Sequence, residues 1–123
     1  MTHSEVMEML GELDLPFAYD HFAEGESPEP PFICFLYPKN IPTGADNTVY
    51  YQFHELDIEL NTDRKEPPLE REVEKLLTDH EIFFRKSEVW IGEEKMYEVL
   101  YEVTIDLRED DADSEESESE GKE

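Results

Sequence analysis

Met96-Tyr97-Glu98-Val99-Leu100-Tyr101-Glu102-Val103-Thr104-Ile105-Asp106-Leu107 decides the fold. Tyr97, Val99, Tyr101, Val103 and Ile105 fall on one side of an extended chain, and Glu98, Glu102, Thr104 and Asp106 mostly on the other. That period of two predicts a long strand with one apolar and one polar face. Just before it, Gly92-Glu93-Glu94 makes a turn, and Ile82-Phe83-Phe84 and Val89-Trp90-Ile91 read as one bent strand or two short ones. Two consecutive strands joined by a tight turn predict a C-terminal hairpin.

Upstream, Pro67-Pro68 suits a helix start, and Leu69, Val73, Leu76 and Leu77 recur at helical intervals. A helix over residues 67–79 follows, with Glu70, Arg71, Glu72, Glu74 and Lys75 assigned to its outer side. Thr48 to Leu60 is the longest strand candidate. Val49, Tyr51 and Phe53 share one face, whereas Leu56, Ile58 and Leu60 share the opposite parity. That change predicts a β-bulge near His54-Glu55, or a strand long enough to serve two environments, with Glu55, Asp57 and Glu59 facing solvent or a partner. Phe32-Ile33-Cys34-Phe35-Leu36-Tyr37 is a continuous apolar run, too short for a helix, and predicts a central strand buried on both faces. Loops are expected at Glu24–Pro31 and Pro38–Asn47, and a short strand at Phe17–Phe22. Thr2 and Glu5 have capping-box spacing ahead of Val6, Met9, Leu10 and Leu13, so a first helix is placed at about residues 3–13. The order α-β-β-β-α-β-β predicts an α+β fold, a mainly antiparallel sheet with two helices on one face.

The chain has 123 residues, one domain's worth, with 34 acidic and 10 basic residues and a net charge of −24. Residues 109–123 hold nine acidic groups and one lysine with one small apolar residue, Ala112. Such a segment cannot offset its ordering entropy, so residues 1–108 are expected to form the domain and 109–123 a disordered acidic tail. The domain alone still carries −16. That balance argues against an unaided nucleic-acid binder and against docking on an anionic membrane. No apolar run reaches the roughly 20 residues of a membrane span, and the N-terminus lacks the basic start of a secretory signal. The lone Cys34 excludes an internal disulfide and reads as an inert core residue.

No catalytic, cofactor-binding or metal site is expected. Ser4, Ser27, Ser87, Ser114, Ser117 and Ser119 fall in a terminus, loops or the tail, outside any nucleophile elbow. His3, His21, His54 and His80 have no metal-ligand spacing, and the carboxylates lack a calcium-loop pattern. The five glycines are too dispersed for a phosphate-cradling loop. Tyr50, Tyr51, Phe53, Phe83, Phe84, Trp90, Tyr97 and Tyr101 are expected in the core or at a protein interface, because base stacking needs a cationic groove.

Three stretches carry a resemblance: Leu15-Pro-Phe-Ala-Tyr-Asp-His-Phe-Ala-Glu-Gly-Glu-Ser-Pro-Glu-Pro-Pro-Phe-Ile-Cys-Phe35, Glu55-Leu-Asp-Ile-Glu-Leu-Asn-Thr-Asp63, and Lys86-Ser-Glu-Val-Trp-Ile91 with Lys95-Met-Tyr-Glu-Val-Leu-Tyr-Glu-Val103. Over residues 5–107 the chain resembles the tail terminators (tail completion or tail-to-head joining proteins) of tailed siphophages and prophages of Gram-positive bacteria. The resemblance implies a non-enzymatic subunit without cofactor. It implies a homo-oligomeric, hexameric ring that caps the tail tube, ends its growth and forms the platform for the head. The partners implied are the major tail tube protein and the head-tail connector protein, with DNA passing through the lumen and not specifically bound. The implied location is the tail-to-head junction of the virion, and the host cytoplasm during assembly. Mutual repulsion predicts a monomer when the protein is isolated at low salt. The loops at 23–31 and 38–47 are the expected contacts with tube or connector. The competing reading is an acidic DNA mimic, an inhibitor of a basic host partner such as a nuclease.

Overall fold

A computed structural model describes residues 1–23, 25–41 and 53–108. The first half of the expected strand at 48–60, most of the 38–47 loop and the acidic segment 109–123 lie outside the described residues.

The fold is α+β, in the order α1 (His3–Gly11), β1 (Phe17–Tyr19), β2 (Phe32–Asn40), β3 (Phe53–Thr62), α2 (Pro67–Asp79), β4 (Phe84–Ile91) and β5 (Met96–Asp106). The strands form one sheet in the order β1-β2-β3-β5-β4. It is mostly antiparallel, and β1 alone runs parallel to its neighbour β2. β3 and β5, the long alternating segments, pair over their whole described length from Phe53↔Asp106 to Thr62↔Tyr97.

One face of the sheet holds the core. Ile33 and Phe35 of β2, Leu56, Ile58 and Leu60 of β3, and Val99, Tyr101, Val103 and Ile105 of β5 pack against Val6, Met9 and Leu10 of α1 and Val73, Leu76 and Leu77 of α2. Both helices start as their sequences dictate. The Thr2 hydroxyl accepts from the Glu5 amide at 3.1 Å, and the Glu5 carboxylate accepts from the Thr2 amide at 2.9 Å. This closed capping box satisfies two donors that a helix start otherwise leaves unpaired. At α2 the two prolines occupy the first turn, where a missing N–H costs nothing.

Several expectations need correction. β3 is the central strand, and β2 lies one place from the edge. β3 carries no bulge: its pairing with β5 is unbroken through His54 and Glu55. The irregularity is on β2, between Leu36 and Lys39. The parity change arises because Phe53 stands on the face opposite Leu56, Ile58 and Leu60, not from an extra residue. Pro38, Lys39 and Asn40 are strand, not loop. Beyond Tyr19 the outer side of β2 has no neighbouring strand among the described residues, so proline's missing donor breaks no ladder bond there. α1 ends at Gly11 and β1 at Tyr19, each shorter than expected. Ser4 lies in α1 and Ser87 in the middle of β4, not in a loop. Glu70 is buried, 4% exposed, instead of facing outward. Of the two places expected for it, Phe83 does not take the core: it is 95% exposed just before β4.

Glu70 is tolerable inside because two lysines reach it. Lys65 lies 2.9 Å from Oε2 and Lys86 2.8 Å from Oε1. Lys86 also meets Glu74 at 2.7 Å, Lys65 pairs with Glu88, and the Tyr101 hydroxyl donates to Glu74 at 3.0 Å. Burial alone would raise the Glu70 pKa, but hydrogen bonds from Lys86 and Lys65 outweigh it and the group is held below its ordinary value. Burial, with Glu74 second, pushes the Tyr101 phenol upward, so it stays a donor. Replacing Lys86 with Met should cost about 1–2 kcal/mol, less than the full price of an orphaned buried carboxylate because Lys65 remains. Urea denaturation of the variant checks this, and unchanged stability would show the pair to be ornamental.

The candidate functional site: an acidic face of the sheet

The helices cover one face of the sheet. The other carries Phe32, Cys34 and Leu36 from β2, Glu55, Asp57, Glu59 and Asn61 from β3, Glu98, Leu100, Glu102 and Thr104 from β5, and Arg85, Ser87 and Val89 from β4. Alternation along each strand puts these residues on the same side. Among the described residues no helix covers them.

Register brings the acids together. Asp57 stands opposite Glu102, Asn61 opposite Glu98, and Cys34 opposite Glu59. Carboxylate oxygens of Glu55, Asp57 and Glu102 lie within 4.8 Å of one another. Like charges directly opposite each other on a sheet repel. Three devices relieve the repulsion. Lys39 approaches Glu55 at 3.7 Å, and Arg85 approaches Glu102 at 3.4 Å. Between them, Asp57 has Oδ1 sealed from water, reached by no N–H donor. Burial first, then a hydrogen bond with Glu55 and the charges of Glu55, Glu102 and Glu59, push Asp57 up to about 7, so it takes up a proton near neutrality. Burial, followed by the charges of Glu98 and Asp20, pushes Glu59 to about 7 as well. Glu98 is also raised, by burial and then Glu94. Asp57 and Glu59 therefore hold protons close to neutrality.

The trio Glu55, Asp57 and Glu102 is the grouping among the described residues with the proximity for a divalent cation. Lys39 and Arg85 approach two of its three carboxylates, Glu55 and Glu102. Cys34 is buried, and burial, then Glu59, pushes its thiol to about 11, leaving it un-ionised and unreactive. It packs on the acidic side, outside the helix-facing core. Phe22 closes that end of the face, edge-on to Phe32 with centroids 5.4 Å apart.

The histidines lie apart from this row. His3 Nδ1 is 2.8 Å from the Tyr37 hydroxyl, His21 is beside Asp20, and His80 Nε2 is 3.3 Å from Glu12. His54 lies edge-on to Tyr37. No residue was singled out as a site from the sequence. The Glu55-Asp57-Glu59 alternation was the available signal, but its convergence with Glu98 and Glu102 depends on a register that no single strand reveals. A shallow depression of about 300 Å³ lies at one end of β4, lined by Ile82, Phe83, Phe84, Arg85, Glu102 and Thr104. It holds no paired nucleophile and base. No helix among the described residues is long and apolar enough to cross a membrane. No protein-family model, curated protein or solved structure matches this chain.

Proposed function

We propose that the protein is a non-enzymatic phage tail terminator, a ring subunit that ends tail-tube growth and presents a platform for the head. The observation that carries this reading is the acidic sheet face, on a fold whose element order is the one expected over residues 5–107. A tube that conducts DNA benefits from a wall that does not hold phosphate. Glu55, Asp57, Glu59, Glu98 and Glu102 provide one, because phosphate binding depends on lysine and arginine neutralising the backbone. The acids stand on the rigid central strands, and Arg85 and Lys39 at the margins are engaged by Glu102 and Glu55. The subunit would meet copies of itself, the tube protein and the connector, at the tail-to-head junction of the virion.

Removal of the gene from its phage tests the proposal. DNA-filled heads should accumulate beside tails of irregular, excessive length, with no joined particles. Normal virions, or unjoined tails of correct length, would overturn it.

The concentration of carboxylates on one face favours a second reading, an acidic protein that occupies the basic site of a partner. In that case the deletion phage would assemble normally, and the purified protein would displace duplex DNA from a host nuclease.

A further inference from the structure

The two edges of the sheet are built differently. One is blunted: β1 has three residues, and the outer part of β2 is interrupted by its bulge and Pro38. The other is β4, Phe84-Arg85-Lys86-Ser87-Glu88-Val89-Trp90-Ile91, with neither proline nor bulge. Its pairing with β5 is continuous, and among the described residues no strand pairs with its outer side. An unpaired row of backbone donors and acceptors is a template for another strand.

From this edge we infer that β4 pairs antiparallel with β4 of a second copy, about a two-fold axis through Ser87, to give a continuous ten-stranded sheet. The argument is self-complementarity. An axis normal to the sheet keeps the helices of both copies on one side, so facing residues must have the same parity. Centring the axis on Ser87 sets Lys86 against Glu88 of the other copy, Phe84 against Trp90, and Arg85 against Val89, each pairing occurring twice. Shifting the axis by one residue sets Lys86 against Lys86 or Glu88 against Glu88. The charges that usually guard an edge by repulsion here become attractive in one register alone. Trp90 and Val89, 48% and 54% exposed, gain cover from Phe84 and from the Arg85 stem. On a chain of −24, β4 itself carries two cations, Arg85 and Lys86, against one acid, Glu88, and pairing there brings the lysine of each copy to the acid of the other. The pairing merges two acidic faces into one and therefore strengthens as salt screens them. It holds whether or not the protein ends a tail tube, since this two-fold contact is separate from the head-to-tail contacts that close a ring.

The test is sedimentation equilibrium of the full chain at 0.1 M and, roughly, 0.5 M salt, with Val89→Lys and Val89→Glu beside wild type. Val89 is exposed, so both variants should keep the wild-type circular dichroism. Wild type should dimerise more tightly at high salt. Val89→Lys faces Arg85 of the other copy and should weaken the dimer about three- to tenfold, whereas Val89→Glu should tighten it. Total charge alone predicts the reverse order. Cysteine placement fixes the register independently. Ser87→Cys should form a disulfide dimer under oxidised glutathione, while Arg85→Cys or Val89→Cys should do so only when the two are mixed. A monomer at every salt and concentration, tighter association of Val89→Lys than of Val89→Glu, or equal cross-linking at all three positions would overturn the inference.

Discussion

Ile33→Asp should abolish soluble folding. Ile33 is fully buried on the helix side of β2, between Phe17 of β1 and Leu60 of β3, and its amide donates to the Pro16 carbonyl at 2.9 Å. An aspartate there would stand within the apolar core cluster that includes Val6, Met9 and Leu10. Losing the buried isoleucine side chain removes about 1.5–3 kcal/mol. Burying an unpaired charge adds several more, and the sum rivals the roughly 5–15 kcal/mol that holds a domain of this size together. Ile33→Val keeps the shape and should cost only about 0.5–1.5 kcal/mol. Circular dichroism melts of both variants check the pair. A cooperatively folded Ile33→Asp with the wild-type midpoint would place β2 at the surface and undo the topology.

Stability should rise as the pH falls from 8 to about 5.5, contrary to the usual behaviour of a carboxylate-rich protein. Asp57 and Glu59 have native values of about 7, against ordinary values of 3.8 and 4.5. Between those limits the native state binds protons that the unfolded chain has released, so stability must fall as pH rises. Above about pH 7 both groups ionise and the loss is complete. The effect should be about 2–4 kcal/mol in total, allowing for partial exposure of both side chains. That corresponds to a midpoint on the order of 10 °C higher at pH 5.5 than at pH 8. Glu70 has the opposite sign. Its depressed value gives stability that is present above its unfolded pKa and lost as pH falls through the native one. An optimum between the two ranges follows. Asp57→Asn keeps the shape but cannot ionise, so it should stabilise the protein at pH 8 and flatten the slope. A general fall in negative charge at low pH would leave that slope unaltered in the variant, which separates the local cause from the global one. Equal midpoints at pH 5.5 and pH 8 would refute the raised values of Asp57 and Glu59.

Much of this architecture was legible from local pattern. The capping box at Thr2, the helix at 67–79 and the alternation after Met96 each rest on a period or a cap that one segment contains in full. Failures came where a local rule met a tertiary exception. Pro38 reads as a loop signal, yet the outer side of β2 asks nothing of its nitrogen. Glu70 reads as surface because acids are rarely buried without partners. Its partners, Lys65 and Lys86, lie on either side of α2 in the chain and meet only when β4 folds back. Phe83 reads as core or interface, and no periodic pattern distinguishes an exposed aromatic from a buried one. The acidic row was half visible: Glu55, Asp57 and Glu59 alternate in plain view, but their opposition to Glu98 and Glu102 is a property of the β3–β5 register. The raised value of Asp57 follows from its burial and from the acids that the fold places around it, and not from composition.

The clamp on Glu70 has a dynamic consequence. Edge strands ordinarily open first, because one side of the ladder is all that holds them. Here Lys86, near the midpoint of β4, is tied to Glu70 and Glu74 on α2, while Lys65, just ahead of α2, grips Glu70 and Glu88 together. Peeling β4 away would strip a buried carboxylate of one cation and release the other from Glu88. Strand and helix should therefore open as one cooperative unit, with their amides exchanging hydrogen together and not in the usual order from the rim inward.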